Sequence, residues 1–237
     1  MMPLFNRVAA LTLLALSLLA VPALAMDDTS REDLVEGSAG EALYGERQLE
    51  TLPDAGELVF DYEMDGSILD APYRDEVRLA FRRVADEEGE GTHFTFDISL
   101  FPKTRVLNLP TVTAESINPI FLVFFQRDAN MMSRNTGGSV HYFRNAVRTT
   151  LNQPGEVRDV EVAAGDKDAV DATQVRFTPF GDAVEDRRMA AFAQKAYTIT
   201  VSDDVPGGVV ELTNVVPEDD GSGVKLRETY RFRELIE

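Results

Sequence analysis

Two histidines are the first residues whose side chains could bind a metal ion or transfer a proton. His93 lies in a segment where polar and apolar residues alternate, on the polar side. His141 lies in a predicted helix, away from its apolar stripe. Neither has a second His, Cys or carboxylate at a metal-ligand spacing such as H-E-x-x-H. Both are therefore predicted to be surface or hydrogen-bonded side chains.

Ser139 is the best candidate for a nucleophile, because residues 137–141 read Gly-Gly-Ser-Val-His. The nucleophile motif G-x-S-x-G requires glycine where this chain has His141, and it follows a strand. Here the segment follows a predicted helix. Two glycines before a helix N-terminus could also bind an anion, but the pattern favours Ser139 as a helix cap.

Three acidic clusters, at residues 86–88, 203–204 and 218–220, could in principle bind calcium. None has the spacing of a calcium loop, and each falls where a hairpin is predicted to turn, which is where Asp and Gly are favoured. We therefore predict no catalytic, metal-binding or cofactor-binding residue. An enzyme is the less favoured class, and a hydrolase stays open as a third alternative.

Residues 117–151 form the most unusual segment, since they carry four arginines against one aspartate and the densest aromatic run of an acidic chain. One interpretation is a helical pair that covers the sheet, with its arginines paired to strand carboxylates. The other is a lid over an apolar pocket, with arginine at the mouth for an acidic headgroup. The second interpretation gives the candidate ligand-binding residues Phe121, Phe124, Phe125, Arg127 and Arg134.

Alternation of apolar and polar residues predicts the strands that must position this segment. Three strands precede it and about five follow it, at residues 57–65, 77–82, 93–100, 157–162, 174–180, 197–201, 209–216 and 225–235. Alternation of this kind is typical of antiparallel sheets with one wet face.

Two helices are predicted between the third and fourth strands. Asn118 and Pro119 form a helix start, Gly137 ends that helix, and Ser139 begins the next. The fold class is therefore α+β. We expect one large curved antiparallel sheet of about eight strands, curved enough for an incomplete barrel, with two helices inserted after the third strand.

The N-terminus has the three parts of a secretory signal peptide. Arg7 supplies the positive region, residues 8–21 form a leucine-rich apolar run, and residues 23–25 read Ala-Leu-Ala. Cleavage is expected after Ala25, giving a periplasmic or secreted protein. Residues 26–56 are acidic and punctuated by glycine, which predicts a flexible arm. Residues 57–237 are expected to form a single domain.

Charge and cysteine content narrow the function classes. The net charge is −18, and the chain without its signal peptide carries −19, because Arg7 is the only charge removed. Such a chain repels nucleic acid, so no nucleic-acid partner is expected. There is no cysteine, which excludes a disulfide framework. No second long apolar run follows the first, so no transmembrane helix is predicted. The oligomeric state is left open.

In its order of elements over residues 57–235, the chain resembles the periplasmic lipoprotein carriers and related envelope proteins. In those families an incomplete antiparallel barrel holds an acyl chain under helices. The resemblance rests on no motif, so no functional residue is carried over. It implies a non-enzymatic envelope protein that binds an apolar or lipid-like ligand on the concave sheet face. The alternative is a structural or interaction module without a ligand pocket.

Overall fold

A computed structural model describes residues 35–44, 48–86, 91–183 and 189–237. The predicted signal peptide and the first part of the predicted arm lie outside the described residues. Ten strands form one sheet, and their bounds are β1 Ala55–Asp65, β2 Tyr73–Ala85, β3 Thr92–Leu100, β4 Leu107–Asn108, β5 Val112–Ala114, β6 Glu156–Ala164, β7 Lys167–Phe177, β8 Ala196–Val201, β9 Val209–Pro217 and β10 Val224–Ile236. Within the same ranges there are three α-helices, α1 Ala39–Tyr44, α2 Ile120–Thr136 and α3 Val140–Leu151.

The sheet is antiparallel throughout and runs in the order β4-β3-β2-β1-β10-β9-β8-β7-β6, with β5 also paired to β3. The first long strand and the last one, β1 and β10, are therefore neighbours in its middle. The sheet is curved and does not close. At the β6–β7 turn, Gly165 lies so close to Phe232 and the Arg233 carbonyl of β10 that a Cβ would meet that oxygen at 2.9 Å.

Both predicted helices form, and their ends follow the capping residues. The Asn118 side chain accepts a hydrogen bond from the Ile120 amide at 3.0 Å at the start of α2. Gly137 ends α2 with a left-handed φ of 75°, which glycine adopts without strain. The Ser139 hydroxyl accepts a hydrogen bond from the Tyr142 amide at 3.1 Å and caps α3.

The α+β prediction is confirmed, with a curved, unclosed antiparallel sheet. The sheet has ten strands instead of about eight, because two short strands, β4 and β5, form between β3 and α2, where the sequence analysis predicts no strand. The two long helices therefore follow β5. In the sequence they still lie between the long strands β3 and β6, as predicted.

Part of the predicted N-terminal arm packs against the domain. In α1, Ala39 and Leu43 are 0% and 1% exposed, and in the following 3-10 turn, Gln48–Thr51, Leu49 is 0% exposed. Tyr44 completes this contact, since its ring meets the ring of Phe121 in α2 edge-on at a centroid distance of 5.2 Å. These side chains belong to the same hydrophobic core as the sheet.

Candidate ligand-binding site

Helix α2 lies against the curved sheet through phenylalanine side chains. Phe121 and Phe124 are fully buried. The ring of Phe124 meets the rings of Tyr197 in β8 and Tyr230 in β10 edge-on, at centroid distances of 6.0 and 5.6 Å. Phe125 is half-buried, and its ring centroid lies 6.1 Å from that of Tyr197. Two of the three predicted phenylalanines therefore belong to the core between helix and sheet, and the third lies at its edge.

Arg127, one turn further along α2, reaches a group of residues in the sheet and directly beside it that we call the Arg127 cage: Tyr62, Phe101, Tyr230 and Glu228. Its Nε donates to the Tyr230 hydroxyl at 2.9 Å, and its Nη2 donates to Glu228 Oε1 at 3.2 Å. Its guanidinium carbon lies 4.7 Å from the ring centroid of Phe101 and 5.5 Å from that of Tyr62. Burial alone would lower the pKa of Arg127, but the charge of Glu228 and the hydrogen bond to the Tyr230 hydroxyl raise the pKa of Arg127 above its usual value.

Glu228 is the carboxylate of the cage and is 4% exposed. It accepts hydrogen bonds from the Tyr62 hydroxyl at 2.8 Å and from Asn214 Nδ2 at 3.1 Å. Burial opposes ionisation, but Arg127 and these hydrogen bonds hold the pKa of Glu228 below its usual value. Burial, together with the charge of Glu228, raises the pKa of Tyr62 and Tyr230. At neutral pH the cage therefore holds one carboxylate and two protonated phenols.

Asp128, the next residue of α2, forms a second buried charged contact with the sheet. It pairs with Lys195 Nζ and accepts a hydrogen bond from the Tyr197 hydroxyl. The Lys195 side chain is 0% exposed and the Asp128 side chain is 3% exposed. Two successive residues of one helix are thus each bonded to a charge beneath it.

Sequence reasoning missed Glu228, Lys195 and the role of Asp128. A signal for Glu228 was available, because it occupies a buried register position of β10, between Leu226 and Tyr230. Lys195 lies just before β8, outside any periodic pattern, so nothing in the sequence marks it as buried.

Arg134 lies apart from this cluster. It is exposed in the last turn of α2, and seven residues of helix separate it from Arg127 by about 10 Å along the axis. The structure therefore does not bring the two predicted arginines together. The position of Arg134 near the helix C-terminus is favourable for a positive charge.

Two clefts open elsewhere on the molecule. The larger one, about 660 Å³, lies between α1 and strands β6 to β8 and has acidic walls that include Asp159, Glu161 and Asp171. The other, about 450 Å³, lies between the β6–β7 turn and the end of β10. Neither is lined by any of the five predicted ligand-binding residues.

The histidines have local partners. His93 Nδ1 lies 2.6 Å from Asp86 Oδ1, and His141 Nε2 lies 2.9 Å from Asn145 Nδ2. Within the described ranges, no group of three or more His, Cys, Asp or Glu side chains could hold a metal ion. No helix in the same ranges is long and apolar enough to cross a membrane.

Known proteins offer few matches to this chain. No protein-family model matches it, and no curated protein matches it. Among solved structures, it is similar to a LolA superfamily protein from Nitrosomonas europaea, with 10% identity over 84% of this chain and 93% of that one. The TM-score is 0.21. The likeness is too low to support an argument about function.

Proposed function

We propose that this protein is an exported, non-enzymatic binding protein that takes up an apolar or lipid-like molecule between α2 and the concave face of the sheet. The observation that carries this proposal is the pair of charged contacts beneath α2, Arg127 with Glu228 and Asp128 with Lys195. They interrupt an interface made otherwise of aromatic and aliphatic side chains.

Buried ion pairs are a poor way to stabilise a permanently closed core. Taking two charges out of water costs several kcal/mol, and well-packed apolar side chains of similar volume often stabilise as well or better. Charged partners have a different advantage, since each of them is hydrated once the helix moves away. Contacts of this kind hold α2 in one position and still allow it to leave the sheet.

The ligand in this proposal replaces the contacts between helix and sheet. An alkyl chain would lie against Tyr197 and Tyr230 on the sheet side and against Phe121 and Phe124 on the helix side. These rings are fully buried when α2 is closed, so uncovering them without a ligand would expose a large apolar surface. The ligand thereby stabilises the open position of the helix by burying that surface again.

Binding of a fluorescent fatty acid tests the proposal. The wild-type protein is expected to bind the probe saturably and to release it when unlabelled fatty acid is added. Phe124→Ala is expected to weaken binding, whereas Phe94→Ala is its control. Phe94 is also buried, but its ring contacts are Phe81 and Phe96 in β2 and β3.

An absence of saturable binding to the wild type would overturn the proposal. The helices would then cap a sealed core, and the protein would be an interaction module without a ligand pocket. The full burial of Phe121 and Phe124 is the observation that favours this second candidate. In that case Phe124→Ala should cost about 3–5 kcal/mol of folding stability, as for other buried aromatic residues.

Export is tested separately from binding. N-terminal sequencing of the protein recovered from the periplasm or medium should begin at Met26, the residue after Ala25. A recovered protein that still carries Met1 would contradict export through a cleaved signal peptide.

A further inference from the structure

We infer that the Arg127 cage is a recognition site for the cationic part of a zwitterionic headgroup, in which a quaternary ammonium group lies beside an anionic group. In the closed form, Arg127 occupies this site. The inference rests on the proposed function, because a ligand reaches the cage only after α2 moves.

The cage has the composition that recognises such a cation. Quaternary ammonium groups bind over the faces of aromatic rings, within about 6 Å of the ring centroid. The Arg127 guanidinium already lies at such distances from Phe101 and Tyr62, 4.7 and 5.5 Å. Glu228 supplies a carboxylate on the same side, at 3.2 Å from Arg127 Nη2. Rings and carboxylate together form a box for one positive charge.

The walls of the cage keep their positions by contacts among themselves. The ring centroid of Tyr62 lies 4.8 Å from that of Phe101 and 5.0 Å from that of Tyr230, with steep angles between the planes. Tyr62 comes from β1, Tyr230 and Glu228 come from β10, and Phe101 follows β3 directly. Only Arg127 belongs to the helix. Movement of α2 therefore empties the cage without dismantling it.

Phe101 adds evidence that the cage is under structural constraint. Its φ is 56°, in the left-handed region that bulky side chains rarely adopt. The Phe101 amide donates to the Glu76 carbonyl at 2.9 Å, which fixes this turn of the backbone. Strained backbone of this kind persists where the surroundings demand it, and it is concentrated at binding sites.

The cage opens towards water at the position of Arg127. The Arg127 side chain is 31% exposed, whereas the Glu228 side chain is 6% exposed. A cation that enters from outside would therefore take the place of Arg127 first and meet Glu228 at the closed end. This direction of entry leaves the rest of the ligand near the helix.

Charge balance requires the headgroup to be zwitterionic. In the closed form, the charges of Arg127 and Glu228 compensate each other. A ligand cation that pairs with Glu228 leaves Arg127 without its carboxylate. A phosphate or carboxylate on the same ligand would supply a new partner, and arginine binds such groups through two hydrogen bonds. A purely anionic headgroup would leave the cage without a cation once Arg127 had turned to it.

The first experiment measures the cage alone. Arg127→Ala empties it, and the melting temperature is measured in tetramethylammonium chloride and in sodium chloride at equal concentration. Tetramethylammonium should raise the melting temperature of Arg127→Ala by about 3 °C at about ten times its Kd. The control is Arg134→Ala, which removes an exposed arginine of the same helix and should show no difference between the salts. Adding Phe101→Leu to Arg127→Ala should abolish the effect.

The second experiment uses the wild type and does not depend on the folding of any variant. Lysophosphatidylcholine and lysophosphatidylglycerol with the same acyl chain compete with the bound fluorescent fatty acid. We expect the choline lipid to displace the probe at about tenfold lower concentration, because only its headgroup carries a cation for the aromatic rings. Equal displacement by both lipids would overturn the inference and leave the proposed function standing.

A failure of the proposed function gives a different pattern. The wild type would then bind no probe. The response of Arg127→Ala to tetramethylammonium would still test whether the cage binds a quaternary ammonium group. If tetramethylammonium and sodium acted alike on Arg127→Ala, the cage would have no preference for a quaternary ammonium group, and the inference would be wrong.

Discussion

Lys195 is a charged residue whose side chain has no contact with solvent, and its carboxylate partner is the equally buried Asp128. We expect Lys195→Met to lower the free energy of unfolding by about 3–5 kcal/mol, because it leaves the Asp128 carboxylate buried and unpaired. The double variant Lys195→Met with Asp128→Leu should recover most of this loss. Urea unfolding of the single and double variants measures both effects.

The matched control for this pair is Arg74→Met, which breaks an ion pair with Glu63 at the surface, where the two side chains are 71% and 38% exposed. Exposed pairs of this kind contribute about 0–1 kcal/mol. Should Lys195→Met be as mild as Arg74→Met, the pair would not be buried as described.

Glu76, in β2, is a carboxylate whose ionisation makes the stability of the fold depend on pH. Burial alone would raise its pKa, but hydrogen bonds from Lys103, Arg233 and Arg78 lower the pKa of Glu76 to about 2. A carboxyl whose pKa is lower in the folded state contributes stability above its unfolded pKa, about 4.3, and loses it as the pH falls towards 2.

The melting temperature of the wild type should therefore fall between about pH 5 and pH 2. Glu76→Gln should be less stable at pH 7 and should show a shallower fall over this interval. The control is Glu63→Gln, which changes the exposed carboxylate that pairs with Arg74. The melting temperature of this variant should depend on pH in the same way as that of the wild type. Parallel profiles for Glu76→Gln and the wild type would contradict the lowered pKa of Glu76.

Elements with a long periodic pattern were predictable, and those without one were not. Strands such as β3 and β10 alternate over nine or more residues, so one face was identified as buried. In contrast, β4 and β5 have two and three residues. They form by pairing with β3 and have no periodic pattern of their own. The contacts of the site depend on such long-range pairing too, since Lys195 is 67 residues from Asp128.

Helix α1 shows how composition can conceal a packed element. Its acidic neighbourhood predicts an arm, yet Ala39 and Leu43 are spaced to share one face of a helix and are both buried. We expect Leu43→Ala to lower the free energy of unfolding by about 2–5 kcal/mol, because it leaves a cavity in the core. Glu36→Ala, at an exposed position before the helix, serves as the control and should have little effect in urea unfolding. Similar midpoints for both variants would mean that α1 detaches from the domain in solution.

The whole molecule carries an excess of negative charge, 41 acidic residues against 23 Lys and Arg. Self-repulsion of this kind destabilises a compact state, and salt screens it over a Debye length that falls from about 30 Å at 0.01 M to about 3 Å at 1 M. We therefore expect the melting temperature to rise between these concentrations of sodium chloride. A fall would mean that the surface ion pairs, which salt also weakens, contribute more than the repulsion. Sucrose is the control, because it stabilises without screening.

The place of β10 in the sheet also has a consequence for the order in which the chain can fold. Among the described strands, those before α2 and those after it are joined only by the pairing of β10 with β1, and β10 pairs with β9 on its other side. Because β10 follows every other described strand in the chain, a ribosome makes it last. The nascent chain therefore cannot complete this sheet before β10 has been made. Under the export proposed above, this delay would keep the chain without its complete sheet, and so able to pass through a translocation channel, until β10 emerges.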